Sequence, residues 1–288
     1  MAKYVPDIGS RRWVIISPGR SLRPNQEKKA ATSKTPTPCP FCEGNETLTP
    51  PELYRIGVGE KNAPGWLVRV VPNKYPITDM HEVIIHSTDN EKDIEDLSID
   101  QVVKILTAYR DRYRAHDDDG QVLIFCNHGF AAGASLKHPH SQLVVIPRQI
   151  NLDAVSREPV ANVVEDNTYF VTYCPDFSQW PFEVWIAPKI EGGGKFSSVG
   201  EAEIADLAVV LQNALRRIRA AQDGGYLRSV HEAGVFVYNY YISHSDNWFI
   251  RITPRFVHRA GFELGTGLNV NVTDPTEAAT ILKQVSIV

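Results

Sequence analysis

Hydrophobic and polar residues are arranged along this chain in short runs that are typical of β-strands. Each run is rich in Val, Ile and aromatic residues, and several are followed by Pro or Asn, which favour turns. The runs that predict strands are 13–16, 66–71, 82–85, 121–126, 143–146, 182–186, 235–239 and 249–252. We therefore expect a sheet of several short strands.

Three segments place apolar residues at helical spacing and begin with a capping residue. A Ser, Thr, Asp or Asn at the N-cap accepts a hydrogen bond from the first turn, and a Glu or Gln three residues later can complete a capping box. The expected pairs of cap and first-turn residues are Ser98 with Gln101, Ser198 with Glu201, and Asp274 with Pro275. The sequence thus predicts three helices as well as the sheet.

The order strand, helix, strand, strand occurs twice along the chain. The second set of elements lies roughly 100 to 112 residues after the first, which is too long a spacing for a solenoid repeat. The repetition predicts two copies of one α+β domain.

Composition and charge exclude several classes of protein. The chain has 288 residues, 43% of them hydrophobic, a net charge of −4 and a pI near 6.1. No basic cluster interleaves with aromatic residues, as nucleic-acid binding would require, and no apolar run reaches the roughly 18 residues of a membrane span. The N-terminus lacks a signal-peptide core, and the 4 cysteines are too few for a secreted disulfide framework. We expect a cytoplasmic protein with an exposed loop at 26–38.

The segment 136–146, LKHPHSQLVVI, carries the residues best suited to chemistry. Because side chains alternate along a strand, His138, His140 and Gln142 should project to one side at the strand's entrance. The preceding loop, 129–135, has small residues that let backbone amides approach a phosphate. A neutral imidazole whose Nδ1 is hydrogen-bonded keeps Nε2 free to attack phosphorus, and a glutamine amide can donate to a phosphoryl oxygen.

The histidines and a nearby cysteine pair have alternative explanations. An isolated His-x-His is more often structural than catalytic. Cys39 and Cys42 have the spacing of half a zinc site, whereas a redox pair is the other use of this spacing.

Several further motifs occur in order along the chain. They are RWVIISPGR at 12–20 with RP at 23–24, CPFC at 39–42 with GNE at 44–46, PNKYP at 72–76, GAS at 133–135 before HPHSQ at 138–142, and AGFELGTG at 260–267. Together they resemble the galactose-1-phosphate uridylyltransferase family, the transferase branch of the histidine-triad superfamily. The last motif is similar to that of bacterial and plant members, which include ADP-glucose phosphorylase.

The resemblance implies a fold and an assembly. The chain would contain two fused histidine-triad-like domains, 1–155 and 156–288, each a mostly antiparallel sheet with packed helices. The first would carry the HPHSQ motif and the cysteine pair, and the second would contribute to sugar binding. A homodimer is implied, in which a neighbouring subunit can contribute to the nucleotide site.

The resemblance also implies a ping-pong nucleotidyl transfer between a nucleotide sugar and a hexose 1-phosphate. His140 would attack the α-phosphorus to form a nucleotidyl-histidine, and Gln142 would hold the transferred phosphoryl group. The implied substrate-binding residues are Arg20 and Arg23 near the active site, Asn73 at the nucleoside, Asn127 and Ser135 at the donor phosphates, and Glu263 at the sugar hydroxyls.

A structural zinc ion is implied as well. Its expected ligands are Cys39, Cys42 and His138. The family has a further histidine where this chain has Asn90, a poor zinc ligand, so the fourth ligand stays open, with Asp89 or His86 as candidates. Relatives often carry His-Trp-His near the last strand, whereas this chain has 247–249, NWF, so a second metal site is doubtful.

Three alternative functions differ from hexose-1-phosphate nucleotidyl transfer. A phosphorylase would pass the nucleotidyl group of ADP-glucose or a dinucleoside polyphosphate to inorganic phosphate. A hydrolase is disfavoured, because hydrolytic histidine-triad proteins carry a third histidine at the position of Gln142. A non-catalytic nucleotide-binding protein is suggested by the altered metal-ligand positions, and the retained His140 argues against it.

Overall fold

The protein is an α+β structure built on one ten-stranded antiparallel sheet and a separate two-stranded ribbon. The computed structural model describes residues 2–9, 12–23, 38–152, 159–189, 194–226 and 235–287. The predicted fold class is confirmed. Except for Pro38, the loop expected at 26–38 lies outside the described residues.

Each of the eight predicted runs overlaps a strand of the described residues, although the runs 182–186 and 235–239 begin two and three residues before their strands. In chain order the strands are β1 Lys3–Asp7, β2 Arg12–Ile16, β3 Tyr54–Gly57, β4 Trp66–Pro72, β5 Met80–Ile85, β6 Gln121–His128, β7 His140–Ile146, β8 Val163–Asp166, β9 Phe170–Tyr173, β10 Val184–Pro188, β11 Tyr238–Ile242 and β12 Ile250–Pro254. Strands β1, β3, β8 and β9 were not predicted, and each is only four or five residues long.

Four α-helices accompany the sheet in the same residues. They are α1 Ile99–Ala115, α2 Glu201–Asp223, α3 Gly261–Thr266 and α4 Pro275–Gln284. Helix α1 packs on β4 and β6, and α2 packs on β9 and β10. Fully buried side chains such as Ile105 and Leu211 fill the space between helices and sheet, and this burial is the main stabilising contribution to the fold. None of the described helices is long and apolar enough to span a membrane.

The strand order repeats about the centre of the large sheet. One half runs β3-β4-β5-β7-β6, and the other continues β11-β12-β10-β9-β8, which is the same order in reverse. The halves join where β6 pairs with β11, with Asn127 opposite Asn239. We infer that this arrangement reflects the duplication expected from the sequence. The proposed boundary at residue 155 falls in 153–158, outside the described residues.

The helix starts agree with two of the three predicted caps. Ser98 accepts a hydrogen bond from Gln101 N, and Asp274 accepts one from Thr276 N. The prediction that Ser198 caps the second long helix is wrong. Gly200 is the N-cap there, and the Glu203 carboxylate accepts from its backbone N–H.

The Gln101 side chain also departs from the capping-box prediction. Its amide donates to Leu67 O at 2.8 Å and His86 O at 2.7 Å. It therefore ties the start of α1 to the ends of two strand segments instead of closing the helix on itself.

We predict that Ser98→Ala lowers the free energy of unfolding by about 1 kcal/mol, because a first-turn N–H loses its acceptor. Ser198→Ala is the matched control, since Ser198 caps no helix, and it should cost less than about 0.5 kcal/mol, as surface substitutions do. Urea unfolding of the two variants and the wild-type protein measures both values. Equal losses would contradict the assignment of the caps.

Candidate active site

The HPHSQ segment lies at the start of β7, which is an interior strand of the sheet. Its neighbours are β5 and β6, with Ile85 opposite His140 and both Val83 and Phe125 opposite Gln142. Since strand side chains alternate, His140 and Gln142 face away from α1 and α2. Both line a cavity of about 170 Å³. Of the three side chains expected to project to one side at the strand entrance, His140 and Gln142 line this cavity and His138 does not.

His140 is held in one tautomer by a backbone carbonyl. Its Nδ1–H donates to His138 O at 2.8 Å, which leaves the lone pair on Nε2. Burial lowers the pKa of His140 to about 4, so the ring is neutral near pH 7. The Phe41 ring meets it edge-on with centroids 5.2 Å apart. The arrangement provides a neutral, oriented imidazole at the wall of the cavity.

Gln142 has a fixed acceptor side. Its Oε1 lies 3.0 Å from His81 Nε2 and 3.5 Å from Asn73 Nδ2. Asn73 is itself oriented, because its Oδ1 accepts from Tyr75 N at 2.8 Å. These contacts bring the predicted Asn73 and Gln142 together at one end of the cavity.

The two predicted arginines lie beside the same cavity. Arg23 lines it and donates to Gly133 O at 3.2 Å. Arg20 donates to Tyr75 O at 2.7 Å. Burial lowers the pKa of both groups, and their mutual repulsion lowers that of Arg23 further. Lys74 joins Arg23 as a second cationic side chain in the lining, so the cavity is suited to an anion.

The small-residue loop approaches the cavity through Ser135, which lines it. Gly133 adopts a left-handed conformation, with φ of 94°, which a glycine accommodates without strain. Asn127 lies deeper, at the centre of the sheet, where its Oδ1 accepts from Asn239 Nδ2 at 2.8 Å. Asn127 is thus near the loop without lining the cavity itself.

Cys39, Cys42 and His138 form a cluster that could bind a metal ion. Their candidate ligand atoms lie within 4.8 Å of one another. His138 Nε2 donates to Ser87 O at 2.9 Å, so the free lone pair on Nδ1 faces the two sulfurs, each 3.7 Å away. A carbonyl that fixes the tautomer of a ligating histidine is a common support of metal sites. The residues therefore fit a thiolate–imidazole metal site.

Asn90, which the sequence analysis placed at the position of a possible fourth ligand, lies beside this cluster. Asn90 Nδ2 lies 3.8 Å from Cys42 Sγ. His86 is not available as a substitute, because both its ring nitrogens are hydrogen-bonded within the core. The Asp89 carboxylate instead accepts from the backbone of Glu91 and Lys92. Within the described residues no fourth His, Cys, Asp or Glu joins the three.

Glu263 is not brought to the His140 cavity in the single chain. It lies near the start of α3, where its carboxylate accepts from Ala260 N at 2.9 Å. It lines a different cavity of about 870 Å³, together with His244 and Arg251.

Three residues that the sequence did not single out contribute to the site. They are Phe41, Lys74 and His81. Phe41 and Lys74 lie inside the CPFC and PNKYP motifs, to which the resemblance drew attention, but the sequence assigned no function to these two residues. His81 shares a face with Val83 on β5, and strand alternation would have placed it beside Gln142 once β5 and β7 were known to pair.

Comparisons with known proteins agree with this geometry. Residues 78–145 match the family model for the galactose-1-phosphate uridyl transferase N-terminal domain. ADP-glucose phosphorylase of Arabidopsis thaliana is 29% identical over 98% of this chain and 92% of its own. Galactose-1-phosphate uridylyltransferase of Thermotoga maritima is 24% identical over 96% of both chains. The crystal structure of the Arabidopsis enzyme with bound ADP-glucose superposes with a TM-score of 0.71 at 26% identity over the whole of both chains. Over nearly its whole length the chain is thus similar to an ADP-glucose phosphorylase and to a galactose-1-phosphate uridylyltransferase.

Proposed function

We propose that this protein moves a nucleoside monophosphate from a nucleotide sugar to a second phosphate-bearing molecule, through a covalent intermediate on His140. The observation that carries the proposal is the buried, neutral His140 ring, whose Nδ1–H is held by His138 O and whose other nitrogen is free at the cavity wall. Gln142 lies two residues further along the same strand face.

In the first step, His140 Nε2 would form a bond to the α-phosphorus while the bond to the leaving sugar phosphate breaks. The sugar phosphate departs with its electron pair, and a nucleotidyl-histidine remains. In the second step an acceptor phosphate oxygen attacks the same phosphorus and restores the free imidazole. The Gln142 amide and the nearby Arg23 would stabilise charge on the phosphoryl oxygens, as preorganised donors do in many transferases.

The acceptor distinguishes two candidate reactions. The sequence suggested a hexose 1-phosphate, as in galactose-1-phosphate uridylyltransferase. The relative with the higher identity of the two named above is an ADP-glucose phosphorylase, and this favours a reaction in which inorganic phosphate takes the adenylyl group of ADP-glucose. Both reactions use the same nucleotidyl-histidine.

Glu263 can take part in sugar binding only if a second chain brings it to the cavity, because its own chain places it elsewhere. We therefore retain the homodimer as part of the proposal.

We predict that His140→Ala abolishes covalent labelling by a nucleotide sugar that carries a radiolabelled α-phosphate, because among the described residues no other imidazole lines the cavity. Donor affinity, measured by calorimetry, should change less than about threefold. Gln142→Ala should retain labelling at a rate lower by about 100-fold, the usual effect of losing one transition-state donor. Normal labelling of His140→Ala would exclude this residue as the nucleophile, whereas donor binding without labelling of the wild type would favour a binding protein.

A paired assay identifies the donor and the acceptor. We expect labelling by ADP-glucose and release of labelled ADP when inorganic phosphate is added. If UDP-glucose labels the protein instead, and galactose 1-phosphate releases labelled UDP-galactose, the reaction is hexose-1-phosphate nucleotidyl transfer.

We further propose that the Cys39, Cys42 and His138 cluster binds a structural zinc ion, since two thiolates and an imidazole are preferred zinc ligands. Burial raises the pKa of the Cys39 thiol to about 11, and a zinc ion would stabilise the thiolate form.

The zinc proposal predicts one equivalent of zinc per chain by elemental analysis of protein purified without chelator. Cys39→Ser should lose the metal and lower the melting temperature, because metal binding contributes to folding free energy. Cys174→Ala is the control: this cysteine is buried outside the cluster, so the variant should be destabilised without loss of zinc. Full-length wild-type protein free of zinc, or a Cys39→Ser variant that keeps it, would refute the proposal.

A further inference from the structure

The Gln142 carboxamide has an acceptor end and a donor end, and the described residues give hydrogen-bond partners to the acceptor end alone. Its Oε1 faces His81 Nε2 and Asn73 Nδ2. Its amide nitrogen makes no hydrogen bond to any residue in the described ranges, although the side chain is 3% exposed and lines the His140 cavity. An amide donor that borders a cavity can be satisfied there by water or by a ligand.

The tautomer of His81 can be assigned from its surroundings. The backbone N–H of Ile77 donates to His81 Nδ1 at 2.9 Å, so Nδ1 carries the lone pair. A neutral His81 then has its hydrogen on Nε2, which points at Gln142 Oε1. The ring is neutral near pH 7, because burial together with the positive charges of Arg20 and Arg23 lowers the pKa of His81 to about 4.

The opposite orientation of the Gln142 carboxamide is excluded by the same groups. Rotation by half a turn would bring its NH2 against the His81 Nε2–H and the Asn73 NH2. Three donors would then meet with no acceptor among them. The Asn73 carboxamide cannot rotate to remove this clash of donors, because its Oδ1 accepts a hydrogen bond from Tyr75 N.

We propose that His81 is a positioning residue that fixes the Gln142 carboxamide with its NH2 directed into the cavity, ready to donate to a phosphoryl oxygen. This inference rests on the proposed nucleotidyl transfer for its chemical consequence, whereas the orientation itself does not depend on it. The series of hydrogen bonds that positions the amide begins at a backbone group, Ile77 N–H. The orientation is therefore set before any substrate binds.

Three variants distinguish the loss of Gln142 positioning from a general loss of stability. His81→Leu removes the donor, and His81→Gln retains an amide that can donate to Gln142. His116→Leu is the control, because His116 is also largely buried but its ring contacts Glu82, Asp119 and Arg112 and not the cavity. We expect the labelling rate at saturating nucleotide sugar to fall about 10- to 100-fold in His81→Leu, with donor affinity within about threefold. His81→Gln should recover much of the rate, and His116→Leu should leave it near that of the wild type.

A double-variant comparison tests whether His81 acts through Gln142. In a Gln142→Ala background, His81→Leu should lower the rate by less than about twofold, because the amide it positions is gone. A further loss as large as in the wild-type background would overturn the proposal.

The orientation is tested independently of activity by NMR of protein labelled at its glutamine side-chain amides. One resonance pair, identified by its absence in Gln142→Ala, should be single in the wild type and split or broadened in His81→Leu. If no nucleotide sugar labels the wild type, the proposed function fails and this spectrum alone decides the inference. An unchanged Gln142 resonance in His81→Leu would refute it.

Discussion

The hydrogen bond from His140 Nδ1 to His138 O is the constraint on which the rest of the site depends. It joins the residue that faces the two cysteines to the residue that faces the cavity, through the backbone of one His-Pro-His segment. His138 is fixed in turn by Ser87 O, and Phe41, which lies between the two cysteines in sequence, packs against His140. A change at Cys39, Cys42 or His138 would therefore reach the His140 ring through both the peptide backbone and the Phe41 ring.

The reverse face of β7 is anchored by a buried polar network. Ser141 Oγ lies 2.7 Å from His86 Nε2, and His86 Nδ1 lies 2.6 Å from Asp93. The order Ser, His, Asp is that of a hydrolytic triad, but Ser141 is fully buried and no substrate can reach it. Tyr240 of β11 also contacts Ser141, so the network holds β7 against the second half of the sheet.

Eight of the strands, two helix caps and the shared face of His140 and Gln142 followed from local patterns, because alternation and capping are local properties. The cap at Gly200 could not be predicted, since a glycine has no side chain to signal it and Ser198 is the better cap by type. Strand β11 begins at Tyr238, later than the pattern suggested, because its start is set by pairing with β6. His81 was missed for the same reason: its role depends on which strands pair. The separation of Glu263 from His140 reflects tertiary geometry that no motif contains.

The pairing of β6 with β11 has a consequence for how the molecule can be divided. Each half of the sheet ends there, and the two ends satisfy each other's backbone hydrogen bonds along five residue pairs. A fragment that stopped between the halves would leave β6 as an open edge directly beside β7. Open edges recruit other strands and promote aggregation. Truncation between the two halves would therefore remove support from the strand that carries His140 as well as half of the sheet.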